Sequence, residues 1–207
     1  MKLISFGDEL VVGDTDAPAL VAKRIDYQFE NRADPDTTNS RIHKKIVKEC
    51  LKINDPKDIV FLIGWTTPFR LDAEYNGKYF SYKKDSADYD NIMMNKLHKF
   101  DHYLFDRIVI SQRLVSIIYG VQQLLENKGI KYYMYNTQTN LDFNSYTEKT
   151  LRNINHKFYF DSIGINSTMI AYLKSKGHKS LTLSAHDEYS RFLSQKLRSS
   201  GIVERPA

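Results

Sequence analysis

The stretch Asp58-Ile59-Val60-Phe61-Leu62-Ile63-Gly64 decides the fold class of this chain. Residues 59–63 are all apolar, without polar alternation, which is typical of a central strand covered on both faces. A second buried strand is predicted at residues 131–135, and a short first strand at residues 2–6. Helical patterns separate these strands. The alternation predicts a three-layer α/β sandwich with a central parallel sheet, as in flavodoxin-like proteins.

Three helices can be placed by their end signals and apolar spacing. The first follows Asp14-Thr15-Asp16, whose side-chain oxygens can cap a helix, and has Pro18 in its first turn. Its apolar stripe extends towards Phe29. The second begins near Thr37 or Thr38 and stops at Asn54-Asp55-Pro56. A terminal helix is predicted over residues 186–199.

The chain between these elements predicts additions to the simple sandwich. The Asn76-Gly77 pair lies between β-prone arms and indicates a hairpin. Residues 89–127 have a helical pattern that Gly129 ends. A short helix is predicted at 141–154 and an extended segment at 157–160. We therefore predict a single domain over residues 1–207, with a hairpin insertion around 70–84 and a helical excursion over 89–127.

Composition excludes several classes of protein. The chain has 207 residues, of which 42% are hydrophobic and 27% charged, so it is neither disordered, collagen-like nor a disulfide scaffold. Cys50 is the single cysteine and lies on the apolar side of a helix, which predicts a buried thiol. No apolar stretch approaches the roughly 20 residues of a membrane span, and the apolar start is too short for a signal peptide. These features predict a cytoplasmic protein without a membrane partner.

The net charge of +5 suggests nucleic acid as a partner, but its distribution argues against it. The basic residues are scattered along the chain. The one compact group is Lys44, Lys45 and Lys48, on the polar face of an amphipathic helix, where lysines are usually solvated. We therefore expect no nucleic-acid partner.

In parallel α/β sheets, ligands bind beyond the carboxyl ends of the strands. The first such segment, Ile4-Ser5-Phe6-Gly7-Asp8-Glu9-Leu10, resembles block I of the SGNH, or GDSL, hydrolases, in which a strand delivers a Gly-Asp-Ser turn with the nucleophilic serine. Asp36-Thr37-Thr38-Asn39-Ser40-Arg41-Ile42 is similar to block II, which carries an oxyanion-hole glycine before a helix.

Two further segments carry the resemblance, in the family's order. Ile63-Gly64-Trp65-Thr66-Thr67-Pro68-Phe69-Arg70 resembles block III, in a Trp-Thr-x-x-x-Arg variant associated with phage-encoded members. Ala185-His186-Asp187 resembles block V, which supplies the catalytic base. The resemblance implies an SGNH-type sandwich, a hydrolase activity, a small-molecule or glycan substrate, and a host-cytoplasmic location if the protein is phage-encoded.

The departures from the family pattern fall in the catalytic centre. Glu9 replaces the nucleophilic serine, Asp36 replaces the oxyanion-hole glycine, and Leu183 replaces the aspartate that precedes the histidine. No block III asparagine stands near Thr66. A carboxylate is an acceptor-only anion, and it repels the oxyanion that acyl transfer must stabilise. Ordinary serine-esterase chemistry is therefore disfavoured.

Three interpretations of the altered centre remain open. Asp8, Glu9 and His186 can act as a catalytic group that hydrolyses or transfers an acyl, glycosyl or phosphoryl group. The carboxylates and His186 can instead hold a divalent cation, although we expect no other cofactor. The third interpretation is a catalytically silent binding or virion-associated protein.

Further residues are assigned to substrate binding or to surface roles. The residues predicted to bind substrate are Asp36, Asn39, Trp65, Thr66 and Arg70. His98 and His102 stand four apart, at metal-ligand spacing, but lack the glutamate of the metalloprotease pattern. We interpret them as surface histidines and predict no metal site there.

Overall fold

The computed structural model describes residues 1–8, 15–35, 37–68, 70–75, 78–83, 107–138, 148–160 and 168–203. Its strands are β1 (Lys2–Phe6), β2 (Gln28–Asn31), β3 (Ile59–Trp65), β4 (Arg70–Tyr75), β5 (Lys78–Lys83) and β6 (Lys131–Asn136). Four of them form a sheet in the order β2-β1-β3-β6, and every neighbouring pair in it is parallel.

Helices cover both faces of this sheet. They are α1 (Ala17–Ile25), α2 (Asn39–Lys52), α3 (Arg107–Lys128), α4 (Glu148–Leu151), α5 (Met169–Ser175) and α6 (Leu183–Ser199). The hydroxyl of Thr38 accepts a hydrogen bond of 3.2 Å from the backbone N–H of Arg41 and so caps α2. The predicted three-layer sandwich with a central parallel sheet is confirmed.

The apolar side chains of β3 pack into two hydrophobic cores, one on each face of the sheet. Phe61, Ile63 and Trp65 face one core together with residues of α2 and α3, whereas Val60 and Leu62 face the other with residues of α1, α5 and α6. Successive side chains of a strand point to opposite faces, so a strand between two helix layers needs apolar residues at every position. This requirement explains the absence of polar alternation that identified β3.

The connections on either side of β1 place a crevice at the carboxyl edge of the sheet. The chain leaves β1 through α1 to reach β2, on one side of β1, and then passes through α2 to β3, on the other side. Such a reversal is a topological switch point, where open α/β sheets bind ligands. The residues that follow β1 and β3 are therefore the first place to look for function.

Strands β4 and β5 form a separate antiparallel pair in which Tyr75 lies opposite Lys78. This pair lies where the Asn-Gly signal predicts a hairpin, although residues 76–77 themselves lie outside the described residues. Of the stretch 89–127, which the sequence assigns to a helical excursion, residues 89–106 lie outside the described residues. The part from residue 107 forms α3, whose Leu114, Ile118 and Val121 pack on the central sheet.

Two elements were missed by sequence analysis. Strand β2 was not predicted, because its sequence Gln-Phe-Glu-Asn has one apolar residue and lies at the sheet edge. Phe29 was wrongly assigned to the stripe of the first helix, which ends at Ile25 because Asp26 adopts a left-handed conformation with φ 58°. Helix α5 was missed too, since it spans only seven residues.

Other boundaries differ modestly from expectation. Helix α6 begins at Leu183 rather than at residue 186, because Thr182 caps it by accepting the N–H of Ala185. The segment predicted to be extended at 157–160 is a 3-10 turn over His156–Phe158, and Tyr159 alone bridges to Met134 of β6. Of the helix predicted at 141–154, residues 148–154 are described, and α4 ends at Leu151, so the last three residues of the predicted helix are not helical.

Two smaller expectations are confirmed. Cys50 is buried on the inner face of α2, and burial raises the pKa of its thiol to about 11. Gly129 follows α3 with φ 68°, the left-handed conformation that commonly ends a helix. None of the described helices is both long and apolar enough to cross a membrane.

Candidate functional site

Asp8 lies at the carboxyl edge of the sheet, two residues beyond β1, and its side chain is completely buried. The hydroxyl of Thr137, which follows β6, lies 3.2 Å from Asp8 Oδ2, and Gln138 Nε2 donates to the same oxygen at 3.3 Å. A buried carboxylate is stable only where hydrogen-bond donors replace water. Thr137 and Gln138 thus hold the side chain of Asp8 in one orientation at the topological switch point of the sheet.

His186 reaches the same region from the first turn of α6. Its Nδ1 accepts a hydrogen bond of 3.3 Å from the backbone N–H of Ala17, and its Nε2 lies 3.6 Å from Oδ1 of Asp16. An acceptor nitrogen carries no proton, so the ring proton of the neutral imidazole lies on Nε2, facing the carboxylate. The imidazole thus links the amino ends of α1 and α6.

Burial lowers the pKa of His186, and the carboxylate of Asp16 opposes that effect without cancelling it. The imidazole is therefore predominantly neutral at neutral pH. In this tautomer the one ring nitrogen without a proton is Nδ1, which already accepts the N–H of Ala17, so the proton acceptor of the pair is the carboxylate of Asp16.

Asp16 is the residue that sequence reasoning missed. It was interpreted as a helix cap, but it stands at the N-cap position of α1 without any side-chain hydrogen bond to that helix. Its carboxylate faces His186 instead. The available signal was the position of Asp16 in the loop that follows β1, at the edge where parallel sheets bind ligands.

Tyr135 of β6 is the second residue that sequence reasoning did not assign to the site. Aromatic residues in a strand usually serve packing, and the ring of Tyr135 does contact that of Tyr189, with centroids 5.8 Å apart. The carboxylates of Asp8 and Asp16 also raise the pKa of Tyr135, in addition to the larger effect of burial. Asp8 and Asp16 thus act electrostatically on Tyr135, and Asp16 also contacts His186.

Asn39 does not present a free amide to a ligand. Its Oδ1 accepts the backbone N–H of Thr66 at 3.0 Å, and its Nδ2 donates to the carbonyl oxygens of Thr66 at 3.1 Å and of Thr67 at 3.4 Å. The side chain thereby ties the loop after β3 to the start of α2. The sequence predicts that Asn39 binds substrate, and such a contact would have to share the Nδ2 protons, which already bond to the carbonyl oxygens of Thr66 and Thr67.

The remaining residues predicted to bind substrate lie in different environments. Trp65 is completely buried in the core between α2, α3 and the sheet, which counts against a surface role for its ring. Thr66 is also fully buried. The guanidinium of Arg70 donates to the carbonyl oxygen of Thr37 at 3.4 Å, just before α2. Its contact with substrate stays a prediction.

Some predicted site residues cannot be placed. Glu9 and Asp36 lie outside the described residues, as do His98 and His102. Within the ranges that the structure describes, no group of three or more histidine, cysteine, aspartate or glutamate side chains is arranged to hold a metal ion. The divalent-cation interpretation therefore depends on Glu9 or Asp36 joining Asp8.

Comparison with solved structures identifies what the architecture resembles. A carbohydrate esterase, described as having divergent catalytic and non-catalytic binding functions at its active site, superposes with a TM-score of 0.50 at 12% identity, covering 96% of this chain and 64% of that one. The YxiM protein of Bacillus subtilis gives 0.52 at 14% identity, covering 97% and 57%. This chain therefore shares its fold with these two proteins.

A lipolytic protein of the G-D-S-L family from Desulfitobacterium hafniense superposes less closely, with a TM-score of 0.49 at 11% identity over 95% of this chain and 99% of that one. No protein-family profile and no curated protein sequence matches this chain. This chain spans less than two thirds of the carbohydrate esterase and of YxiM. The likeness to the carbohydrate esterase and to YxiM shows the fold alone, and the chemistry has to be argued from the site itself.

Proposed function

We propose that this protein is a hydrolase with the SGNH fold, in which carboxylate and histidine chemistry replaces the serine mechanism. The observation that carries the proposal is the contact of the buried His186, through Nε2, with Oδ1 of the half-buried Asp16, 3.6 Å long, at the carboxyl edge of the sheet. An imidazole held by a carboxylate is the usual acid and base group of hydrolases. Asp8 lies at the same edge of the sheet.

The proposed reaction needs a water molecule, since no serine follows Asp8. Water adds to the acyl, glycosyl or phosphoryl group of the substrate, and the bond to the leaving group breaks. The carboxylate of Asp16, which faces the Nε2–H of His186, takes the proton from water and returns it to the leaving group. Asp8 and Glu9 then set the charge of the centre, and Arg70 and Asp36 orient the substrate.

A specific observation favours a second candidate, a binding protein without catalysis. His186 Nδ1 already accepts the N–H of Ala17, so both ring nitrogens have partners, as in a structural histidine. A carbohydrate esterase with this fold is itself described as having non-catalytic binding functions besides catalysis. The fold is therefore compatible with either use of the site, and activity has to decide between them.

Hydrolysis of para-nitrophenyl acetate at neutral pH tests the two candidates. The wild-type protein is compared with Glu9→Ser and Asp16→Asn, and Asp58→Asn is the control because this exposed aspartate precedes β3 at the opposite edge of the sheet. If the first candidate is right, the wild type and Asp58→Asn turn over the ester, whereas Asp16→Asn loses most of the rate.

Two other outcomes have defined meanings. Activity in Glu9→Ser alone means that the centre retains the assembly of a serine hydrolase and that the carboxylate mechanism is wrong for esters. Inactivity of all four proteins, also with acetylated xylan and with a phenyl phosphate ester, supports the binding protein and contradicts the hydrolase.

A further inference from the structure

The hydroxyl of Tyr135 is a polar group that the fold leaves without a partner. The side chain is completely buried, and its oxygen makes no hydrogen bond within the described residues. Buried hydroxyl groups are nearly always hydrogen-bonded to protein or to ordered water, because losing hydration without replacement is unfavourable. A buried hydroxyl without a protein partner therefore points to a ligand or water at that place.

Packing fixes the direction of this hydroxyl. Tyr135 lies opposite Gly64 in the register of β6 and β3, and a Cβ atom added to Gly64 would lie 3.0 Å from its Cζ and Oη atoms and 3.1 Å from the side-chain methyl group of Thr137. The ring of Tyr135 thus packs over Gly64 of β3 and contacts the ring of Tyr189. The Tyr135 hydroxyl and the Thr137 side chain both border Gly64, and the hydroxyl of Thr137 contacts Asp8.

The surroundings determine which ligand chemistry fits. Burial and the two nearby carboxylates raise the pKa of Tyr135 far above its usual value, so the phenol keeps its proton and acts as a donor. An anion is repelled by Asp8 and Asp16. A neutral molecule that accepts from the phenol and donates to a carboxylate satisfies both sides, and water is the smallest such molecule.

We propose that Tyr135 is a catalytic residue that binds the attacking water molecule, donating its hydroxyl proton to the water oxygen while the water protons face Asp8 and Asp16. This proposal rests on the hydrolase function proposed above. In the step, the water oxygen bonds to the reacting centre of the substrate as the bond to the leaving group breaks. One water proton passes to the Asp16–His186 pair and then to the leaving group, and Tyr135 keeps its own proton throughout.

The chain offers a matched control in Tyr189. Its side chain is also completely buried, and its hydroxyl likewise has no partner among the described residues. The charged groups of the site do not perturb it, since the groups that raise its pKa besides burial are Tyr135, Tyr133 and Tyr172. Tyr135→Phe and Tyr189→Phe thus remove the same atom from two equally buried rings, of which Asp8 and Asp16 act on Tyr135 and not on Tyr189.

The experiment measures kcat and KM for para-nitrophenyl acetate with the wild type and both variants. We expect Tyr135→Phe to lower kcat roughly 100-fold, the effect of misplacing a reacting molecule, with little change in KM. Tyr189→Phe should stay within about twofold of the wild type in both constants. A crystal structure of the wild type should show a water oxygen within hydrogen-bond distance of Tyr135 Oη, and that of Tyr135→Phe should lack it.

Several results would overturn the proposal. An active wild type with unchanged kcat in Tyr135→Phe removes the catalytic role and leaves the hydrolase function intact. Equal losses in both variants indicate a general packing defect, which equal falls in melting temperature would identify. Absence of water at Tyr135 in the wild-type crystal contradicts the water-binding role, whatever the kinetics. Inactivity of the wild type with para-nitrophenyl acetate, acetylated xylan and a phenyl phosphate ester removes the hydrolase function itself, and with it the role of Tyr135.

Discussion

The two ring nitrogens of His186 can be tested separately with side chains of different length. Asparagine places an oxygen near the position of Nδ1, where it can accept the N–H of Ala17, whereas glutamine reaches towards Asp16 and leaves that N–H unpaired. A buried N–H without an acceptor costs about 1–3 kcal/mol. We therefore expect His186→Gln to lower the free energy of unfolding by more than His186→Asn, as measured by urea denaturation.

Activity supplies the complementary test of the same pair of variants. His186→Asn keeps the cap of α1 and removes the contact with Asp16, so it should fold like the wild type and lose hydrolysis. A fully active His186→Asn would show that the imidazole serves only to cap α1. Equal stability of the two variants would contradict the role of Ala17 as a donor.

At the residue scale, the sequence located part of the site and missed part. His186 was found because a histidine at the start of the last helix matches a family block, and the structure places it at the carboxyl edge of the sheet. Asp16 and Tyr135 were missed because a capping aspartate and a strand tyrosine look alike in sequence whether or not they face a site. Their roles depend on which residues from distant elements lie opposite them.

At the scale of single elements, the packing of β6 side chains over β3 depends on Gly64. We expect Gly64→Ala to lower the free energy of unfolding by about 1–3 kcal/mol, because the new methyl group would overlap Tyr135 and Thr137, both of which are fully buried. Gly120 in α3 is the control, since a Cβ atom there meets nothing within 4 Å. Gly120→Ala should stabilise the protein by about 0.5–1 kcal/mol, the helix preference for alanine.

The contact between α2 and the loop after β3 gives a second test at this scale. Asn39→Ala leaves the buried N–H of Thr66 without its acceptor, and we expect a loss of about 1–3 kcal/mol in the free energy of unfolding. Ser40 lies on the same turn of α2 as Asn39, and Ser40→Ala removes one exposed contact with Arg113. This substitution should change the free energy of unfolding by less than about 0.5 kcal/mol. Similar effects of the two substitutions would contradict the role of Asn39 as a clamp.

The elements themselves were predictable to different degrees. Strands β1, β3 and β6 and helix α2 carry patterns that are decided by their own residues, namely apolar runs, caps and stops. Strand β2 forms because β1 offers an edge next to it, with Leu3 opposite Phe29, and a pattern of four mostly polar residues cannot reveal that pairing. Tertiary pairing outweighs local preference in such short segments.

For the whole molecule, acidification is expected to weaken the fold. Burial lowers the pKa values of both His43 and His186 from 6.5, so between pH 6.5 and these lower values the unfolded chain binds more protons than the folded one. The stability contributed by the two neutral imidazoles is present above pH 6.5 and is lost as the pH falls below it. We expect the urea midpoint to drop over that range.

Substitution separates the two contributions. The decrease in the urea midpoint below pH 6.5 should be shallower in His186→Asn than in the wild type, and shallower again when His43→Gln is added. A wild-type midpoint that rises on acidification in this range would contradict the direction of both shifts.

The hydrogen bond from Ala17 to His186 joins residues 169 positions apart in the chain. During synthesis, helix α1 is therefore made long before His186, whose side chain accepts the N–H of Ala17. Leu193 and Leu197, which pack on the apolar face of α1, are synthesised later still. Contacts so distant in sequence are made late and slowly. The packing of α1 against α6 therefore stays incomplete on the ribosome until α6 has been synthesised.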